Sequence, residues 1–303
     1  MKAGVWTLFG FLTILGVRSA GAQMAIGDAK DNSAVVVQQG GGTAHINFGD
    51  SSAKAGYLWQ ISNSALRYGV EFGAKAGNGY AALLKGSDVS PTATASVWVG
   101  YQPRQFRTVE EALKGKSGPI RAWWTTLKLG YVRSENVLVD ESKPLAEQVT
   151  KKKLGSPDVA AYANALTRGN ILWCLGGGLK RTSNYDDLKK VDLIDTTVLA
   201  AQGGETRTVE NRTSGRTGNY AEFTQLYAAV DVLWVPDVIQ DRVGFDFFWR
   251  GADNRGNGSQ SEPGVTLCVL QKGAPTKIVA GLTAQRDAST RDLKIGLTLG
   301  HSF

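Results

Sequence analysis

Histidine and cysteine are scarce in this 303-residue chain, which has two of each. His45 and His301 lie near opposite ends of the sequence, and neither has a recognisable nucleophile partner nearby. We therefore assign both a structural role. No cluster of His and Cys has the spacing of metal ligands. We expect no catalytic residue, no metal and no cofactor, and so a protein that is not an enzyme.

Two cysteines are also too few for a disulfide scaffold. Cys174 and Cys268 each fall within a predicted strand, and the two strands are not neighbours in the sequence. Although an exported protein meets an oxidising compartment, we do not predict a bridge between them.

The chain lacks a long apolar run beyond residue 22, whereas a membrane-spanning helix needs about 20 such residues. The N-terminus has the three parts of a secretory signal: Lys2, an apolar stretch over 3–17, and a cleavage motif with Ala20 and Ala22. We predict a signal peptide over 1–22. Because only helices and closed barrels cross a bilayer, the remainder is either an exported soluble protein or a β-barrel.

The charge balance is mildly basic, with 34 Lys and Arg against 27 Asp and Glu, a net charge of +7. Removal of Lys2 and Arg18 with the signal lowers it to +5 (7 − 2). No basic run is interleaved with aromatic residues, so nucleic acid is not an expected partner. The excess of basic residues is consistent with contact with an anionic surface, or with an interior that attracts anions.

Alternation with a period of two recurs along the chain, as in half-buried strands. The last segment, 293–303, sets Leu293, Ile295, Leu297 and Leu299 against Lys294, Gly296, Thr298 and Gly300. The pattern predicts about twelve strands, with ten as the alternative: 43–50, 55–62, 65–75, 79–86, 92–102, 119–133, 170–182, 219–235, 242–251, 262–272, 277–285 and 293–303.

The residue types on the two faces of these strands distinguish a membrane barrel from a soluble sandwich. The second face is rich in Gly, Ser and Thr, and aromatic residues lie towards strand ends on the apolar face: Tyr57, Tyr101, Tyr131, Tyr220, Trp234, Trp249 and Phe303. Such placement is typical of aromatic girdles. We therefore predict an all-β, antiparallel up-and-down transmembrane barrel over 43–303, preceded by an N-terminal segment at 23–42.

The final strand with its terminal Phe303, behind a signal peptide, resembles the C-terminal sorting signal of bacterial outer-membrane β-barrel proteins. His301 departs from that pattern, where an apolar or aromatic residue is more usual. The resemblance implies Sec export, residence in the outer membrane among its lipid and lipopolysaccharide, and recognition of Leu297, Leu299 and Phe303 by the barrel assembly machinery.

In that class the last strand ends in the periplasm. Counting back along the chain makes 252–261, 183–218 and 104–118 extracellular and leaves short periplasmic turns at 236–239 and 273–274. Residues 134–169 then form a periplasmic insertion. Ser156 as N-cap and Pro157 at the first helical position predict a helix there; the alternative is a missed strand and a partly inverted topology.

Charged residues on the second face point into the barrel: Arg67, Glu71, Lys75, Lys128, Lys180, Asp231, Arg242, Asp246, Arg250, Lys277 and Lys294. Eight are basic and three acidic, so several cations are expected to lack partners. This favours a narrow pore for small, preferentially anionic solutes. The alternative is a lumen filled with ion pairs and bulky side chains, in a closed barrel that serves as receptor, adhesin or scaffold through the polar loop 183–218.

Gly176, Gly177 and Gly178 resemble a phosphate-binding loop only superficially, because they lie inside a strand and no Lys-Ser/Thr follows. We expect these glycines to relieve crowding where the wall bends or where a side chain crosses the interior.

Overall fold

The computed structural model describes residues 41–48, 52–60, 64–75, 92–103, 119–144, 147–200, 206–236, 243–254, 258–271, 274–287 and 291–302. The predicted signal peptide and most of the predicted N-terminal segment lie outside these ranges. No helix in the described part of the chain is long and apolar enough to cross a membrane. The elements are β1 (Gly41–Asn47), β2 (Ser52–Gln60), β3 (Leu66–Lys75), β4 (Thr92–Tyr101), β5 (Ile120–Val139), β6 (Val149–Thr167), β7 (Ile171–Ser183), a 3-10 turn (Tyr185–Asp187), β8 (Lys189–Ala200), β9 (Thr206–Thr217), β10 (Glu222–Trp234), β11 (Val243–Asp253), β12 (Ser259–Gln271), β13 (Ala274–Arg286) and β14 (Leu293–Ser302).

Twelve strands close into one antiparallel barrel, as the alternation predicts. Strands β1 to β7 pair in sequence, β7 pairs with β10, β10 to β14 again pair in sequence, and β14 returns to β1. The remaining hairpin, β8–β9, is inserted between β7 and β10. Strands about 4.8 Å apart and tilted by about 40° give a twelve-stranded cylinder about 24 Å across, measured between backbones.

The two ends of the barrel differ. At the termini end β1 begins and β14 finishes, and Thr43 is opposite Ser302. At the opposite end, called the hairpin end, β5 and β6 continue beyond the wall and the β8–β9 hairpin is attached. The predicted short turns at 236–239 and 273–274 both connect strands at the termini end.

Strand β11 shows why the alternation was informative. Asp246, Phe248 and Arg250 are buried in the interior, whereas Phe247 and Trp249 are 51% and 40% exposed on the outer surface. In β14 Leu293 and Ile295 are each 68% exposed. The predicted apolar face is therefore the outer face, and successive side chains alternate across the wall.

The outer surface combines an apolar band with aromatic contacts near the termini end. Trp59 stacks on Tyr68 with ring centroids 5.5 Å apart, and Tyr101 meets Trp123 at 6.0 Å. A further pair joins Trp234 and Phe245 at 6.1 Å. All these residues lie at strand ends, as an interfacial aromatic girdle requires. Phe303, the predicted terminal aromatic, lies outside the described residues.

The predicted helix within 134–169 is wrong, because its residues form strand β6. Pro157 does not break the strand because the ladder between β6 and β7 begins only at Asp158, opposite Lys180. Pro157 thus lies where one edge of β6 has no barrel partner, a position that tolerates a missing N–H. The Ser-Pro signal was outweighed by pairing with β5 along the whole of β6.

The missed strand inverts part of the predicted topology. The segment 104–118 connects β4 to β5 at the termini end, not at the end shared by 183–218 and 252–261. The twelve described wall strands include β6, and β3 pairs directly with β4; the predicted strand 79–86 lies outside the described residues. The total of twelve therefore agrees with the prediction although β6 was not among the predicted strands.

A register shift between Val269 and Gln271 changes the phase of neighbouring β13. Ile278 was expected on the outer face but is 5% exposed in the interior. The alternation that predicted an inward Lys277 assumed a regular strand without this bulge. The Lys277 side chain lies outside the described residues.

Candidate functional site: the barrel interior and the sheet at the hairpin end

Near the termini end, an apolar layer lines the interior on the side formed by β5 to β7, β10, β12 and β13. Its members come from six strands, and each points inward from the part of its strand nearest that end: Trp124, Leu166, Leu172, Leu233, Leu270 and Ile278. Trp124 is only 1% exposed. Sequence alternation missed the aliphatic members of this layer because strand ends here carry apolar residues on both faces. Trp124 shares the inward phase of Lys128 on β5.

A polar network lies above this layer, towards the middle of the barrel. The ammonium group of Lys128 is 3.2 Å from the carboxylate of Asp158, which also accepts a 2.7 Å hydrogen bond from the Tyr227 hydroxyl. Lys128 lies 5.2 Å from the Trp98 ring centroid, and Lys180 lies 5.5 Å from that of Tyr227. Lys128 and Lys180, both predicted to line a pore, therefore pack against interior side chains.

Arg250 and Asp231 form a second buried pair between β11 and β10. The two guanidinium nitrogens donate to the two carboxylate oxygens at 3.1 and 2.5 Å. Arg250 also donates to the carbonyl oxygen of Val230 at 3.1 Å and lies over the Phe248 ring, 4.7 Å from its centroid. This two-pronged geometry pairs the two charges where the side chains of Arg250 and Asp231 are 9% and 0% exposed.

Further polar contacts join side chains on the inner face of β12 to β14. Thr266 and Thr283 share a hydrogen bond of 2.8 Å, and Gln285 donates to Glu262 at 2.9 Å. Nearer the hairpin end, Lys294 meets Asp287 at 2.5 Å. These contacts link neighbouring strands through their inner faces.

The expectation of several unpartnered cations is therefore wrong. Asp158 and Asp287, neither counted as an interior acid in the sequence, pair with Lys128 and Lys294. Arg67 is only 4% exposed, so it does not line an open water path. Asp246 is likewise buried, at 1% exposure. Arg242 lies outside the described residues.

The opposite inner wall, formed by β1 to β4 and β14, carries small residues. Register places Gly56 opposite Glu71 and Gly73 opposite Lys54 and Thr94. Glu71 and Lys75, both predicted lining residues, lie on this face. Two inner polar side chains on this wall, Asn47 and Thr298, are 0% and 4% exposed.

The inner glycines of β7 behave as the sequence suggested. A Cβ atom at Gly178 would lie 2.2 Å from the Val159 carbonyl oxygen and 2.8 Å from the Tyr227 hydroxyl oxygen. The Tyr227 side chain crosses the interior at this point to reach Asp158. Cys174, on the same face of β7, and Cys268 are both buried free thiols.

At the hairpin end the chain forms a four-stranded sheet in the order β6, β5, β9 and β8, here called the outer sheet. The described residues of 183–218 are therefore mostly strand, whereas the sequence predicted a polar loop there. The Tyr185 hydroxyl accepts from the Val137 amide at 3.3 Å and donates to the Val137 carbonyl oxygen at 3.2 Å. Val139 is 3% exposed against Gly215, so β9 is packed onto β5.

The turn between β5 and β6 is also fixed by local contacts. Asp140 accepts hydrogen bonds from the Ser142 hydroxyl at 2.6 Å and from the Ser142 amide at 3.2 Å. These bonds favour the ionised carboxylate and lower the pKa of Asp140. The tip of the outer sheet is thus held in a defined conformation.

The base of the β8–β9 hairpin crosses the inner side of β6. Tyr185 follows β7 and Tyr220 precedes β10, yet both contact β5, which lies beyond β6. Tyr220 accepts a hydrogen bond of 3.2 Å from Asn136, whose side chain points to the same face as Lys128. The hairpin base therefore lies against the inner faces of β5 and β6 at the hairpin end of the barrel. Tyr220 therefore does not belong to the outer aromatic face, where the strand alternation had placed it.

Comparisons with known proteins give a fold-level likeness only. No family model matches the chain, and no curated protein matches it. Fourteen chains of solved structures match. One is the crystal structure of the beta domain of the Bordetella autotransporter Brka, with a TM-score of 0.33, 11% identity, and coverage of 87% of this chain and 98% of that chain. A likeness this distant carries no argument about function. The closed twelve-stranded barrel itself fits the outer-membrane class.

Proposed function

We propose that this chain is a bacterial outer-membrane barrel with a closed lumen, and that it acts as a surface receptor, adhesin or envelope scaffold through its outer sheet rather than as an enzyme. The observation that carries the proposal is the state of the interior charges. Lys128 and Arg250 are paired with Asp158 and Asp231, and Arg67 is 4% exposed. An ion-conducting lumen needs its lining charges in water.

Membrane residence is supported by the outer wall. Large apolar side chains are exposed around the whole barrel, including Phe72 at 60%, Leu175 at 59% and Leu282 at 51%. A soluble protein rarely exposes an apolar surface this extensive. With the termini end in the periplasm, as the C-terminal strand implies, the outer sheet projects from the cell surface.

The outer sheet supports the binding role because it is ordered and chemically varied. Its strands are joined by backbone pairing and by the Tyr185 and Tyr220 contacts. It presents charges of both signs, including Lys151 and Glu135, which form an exposed pair at 3.1 Å. Rigid scaffolds that hold exposed segments in this way commonly carry recognition functions.

A narrow pore with a preference for small anions is the second candidate. It is favoured by the small inner residues of β2 to β4, where Gly56, Gly69 and Gly73 face a cylinder about 24 Å across. Opening such a path would require the hairpin base at the hairpin end to move. The anion preference has weak support, because Lys128, Arg250 and Lys294 each have an acidic partner.

Swelling of proteoliposomes tests the closed lumen against the pore. Vesicles containing the folded barrel would be diluted into isosmotic arabinose or sodium gluconate. The proposal predicts swelling no faster than in vesicles without protein, for both solutes. Swelling in either solute would contradict it, and faster swelling in gluconate would support the anion-preferring pore.

A further inference from the structure

A shallow apolar groove runs across the outer wall of β4 to β7. It has a volume of about 680 Å³. Its floor is formed by Ala161, Ala163 and Gly177, small residues at the outward-facing positions of β6 and β7. Val99, Leu127 and Leu175 stand along its sides, and they are 47%, 45% and 59% exposed. The groove is therefore mostly apolar, as expected of a surface that binds a hydrocarbon chain.

Exposed cations lie on the same strands, towards the hairpin end. Arg133 on β5 and Lys153 on β6 are exposed on the outer face. Lys151 lies 3.1 Å from Glu135, and Arg181 on β7 lies 2.6 Å from Glu222. Four cations against two acids leave this cluster, called the basic cluster, with two excess positive charges.

The spacing between the groove and the basic cluster matches one membrane leaflet. Arg181 is four residues along β7 from Gly177, Arg133 is six along β5 from Leu127, and Lys153 is eight along β6 from Ala161. At about 3.3 Å per residue these separations are about 13, 20 and 26 Å along the strands, or about 10, 15 and 20 Å along the membrane normal for strands tilted by about 40°. Half of a hydrocarbon core about 30 Å thick is about 15 Å. A lipid whose phosphate contacts the cluster would thus place an acyl chain in the groove.

We propose that β4 to β7 form a lateral binding site for a phosphorylated, multiply acylated lipid of the outer leaflet, of the lipid A class. The basic cluster binds the phosphate, for which guanidinium groups are well suited, and the groove holds an acyl chain. The site rests on the proposed membrane residence, and it does not depend on whether the lumen is open.

Native mass spectrometry of the folded full-length protein in detergent, titrated with diphosphorylated lipid A, tests the site. The charge variant carries Arg133→Gln, Lys153→Gln and Arg181→Gln; the groove variant carries Ala161→Phe and Ala163→Phe. The matched control removes three exposed charges elsewhere on the outer sheet, with Lys143→Gln, Lys189→Gln and Lys190→Gln. A second control, Leu282→Phe, enlarges an exposed side chain on the far wall. Each variant is first shown to be folded by its β-type circular dichroism and heat-modifiable gel migration.

The site predicts that the charge variant binds lipid A about tenfold more weakly and the groove variant about fivefold more weakly, while both controls stay within twofold of wild type. Dephosphorylated lipid A should bind wild type as weakly as lipid A binds the charge variant, and millimolar inorganic phosphate should not displace bound lipid A. Equal binding by wild type and the charge or groove variant would overturn the proposal. Displacement by phosphate alone would also overturn it, by showing an anion site without a lipid. Because no conductance or swelling is measured, a failure here is separate from a failure of the closed-lumen proposal.

Discussion

Arg250 and Asp231 face each other across β11 and β10 inside the barrel, with both guanidinium nitrogens bonded to the carboxylate at 3.1 and 2.5 Å. Their side chains are 9% and 0% exposed. The pair thus links two neighbouring strands of the barrel wall through their inner faces.

Removal of one member of this pair should destabilise the barrel strongly. We expect Asp231→Asn to lower the free energy of unfolding by about 3–5 kcal/mol, because it leaves Arg250 charged and buried. Urea-induced unfolding in detergent micelles, followed by tryptophan fluorescence, measures the change. The exposed pair of Lys151 and Glu135 is the control, and Lys151→Gln should cost less than about 1 kcal/mol. Equal effects of the two substitutions would contradict the assignment.

Gly178 is the inner-wall position with the least room for a side chain on its strand. In Gly178→Ala the new Cβ would lie 2.2 Å from the Val159 carbonyl oxygen and 2.9 Å from the Ala160 Cα atom. Backbone cannot give way cheaply, so we expect a loss of about 1–3 kcal/mol in unfolding free energy. At Gly130 the nearest atoms are 3.5 Å away, and Gly130→Ala should be close to neutral in the same unfolding experiment. A neutral Gly178→Ala would show that β6 and β7 are not paired as described.

If the termini end lies in the periplasm, as proposed, the corrected topology puts the β5–β6 turn outside the cell and the β6–β7 turn in the periplasm. Cysteine introduced by Lys143→Cys should react with a membrane-impermeant maleimide on intact cells, whereas Arg168→Cys should react only after the outer membrane is opened. Both positions are exposed in tight turns, so accessibility to the reagent decides the outcome. The buried thiols of Cys174 and Cys268 serve as the internal background. The opposite labelling pattern would reverse the assigned orientation.

The attachment of the β8–β9 hairpin depends on the Tyr185 hydroxyl. Tyr185→Phe removes both bonds to Val137 but retains the ring that lies 5.2 Å from the Arg216 guanidinium. Loss of these bonds should lower the free energy of opening of the hairpin by about 1 kcal/mol. Amide hydrogen exchange in β8 and β9 should then be about fivefold faster. Exchange in β11 should be unchanged. If β8 and β9 exchange at the wild-type rate, the hydroxyl does not hold the hairpin to β5.

The sequence predicted the barrel because its strongest strands have one wholly apolar face, as β11 shows with Val243, Phe245, Phe247 and Trp249. Strand β6 was missed for the opposite reason. Its outer face in the membrane is mostly alanine, including Ala161 and Ala163, so its hydrophobic contrast is weak. A local Ser-Pro signal then suggested a helix, although pairing with β5 and β7 determines the structure.

The interior was predicted less well than the wall. Missing β6 removed Asp158 from the interior, so Lys128 lacked its partner in the sequence-based account. Leu166, Leu172 and Leu233 were not expected inside because the predicted apolar face of each strand was assigned to the outer surface. Which side chains meet across a lumen depends on the closure of the ring, and that is not a local property of any strand.

Single-channel recording in a planar bilayer, with a KCl gradient across the membrane, tests the closed lumen most directly. The wild-type protein, shown to be folded and inserted, should give no stable conductance steps at either polarity. The double variant Asp158→Asn and Asp231→Asn removes the acidic partners of Lys128 and Arg250. It is therefore the variant in which we expect conductance steps if these ion pairs close the lumen. Stable, anion-selective steps from the wild-type protein would contradict the account and establish the pore in its place.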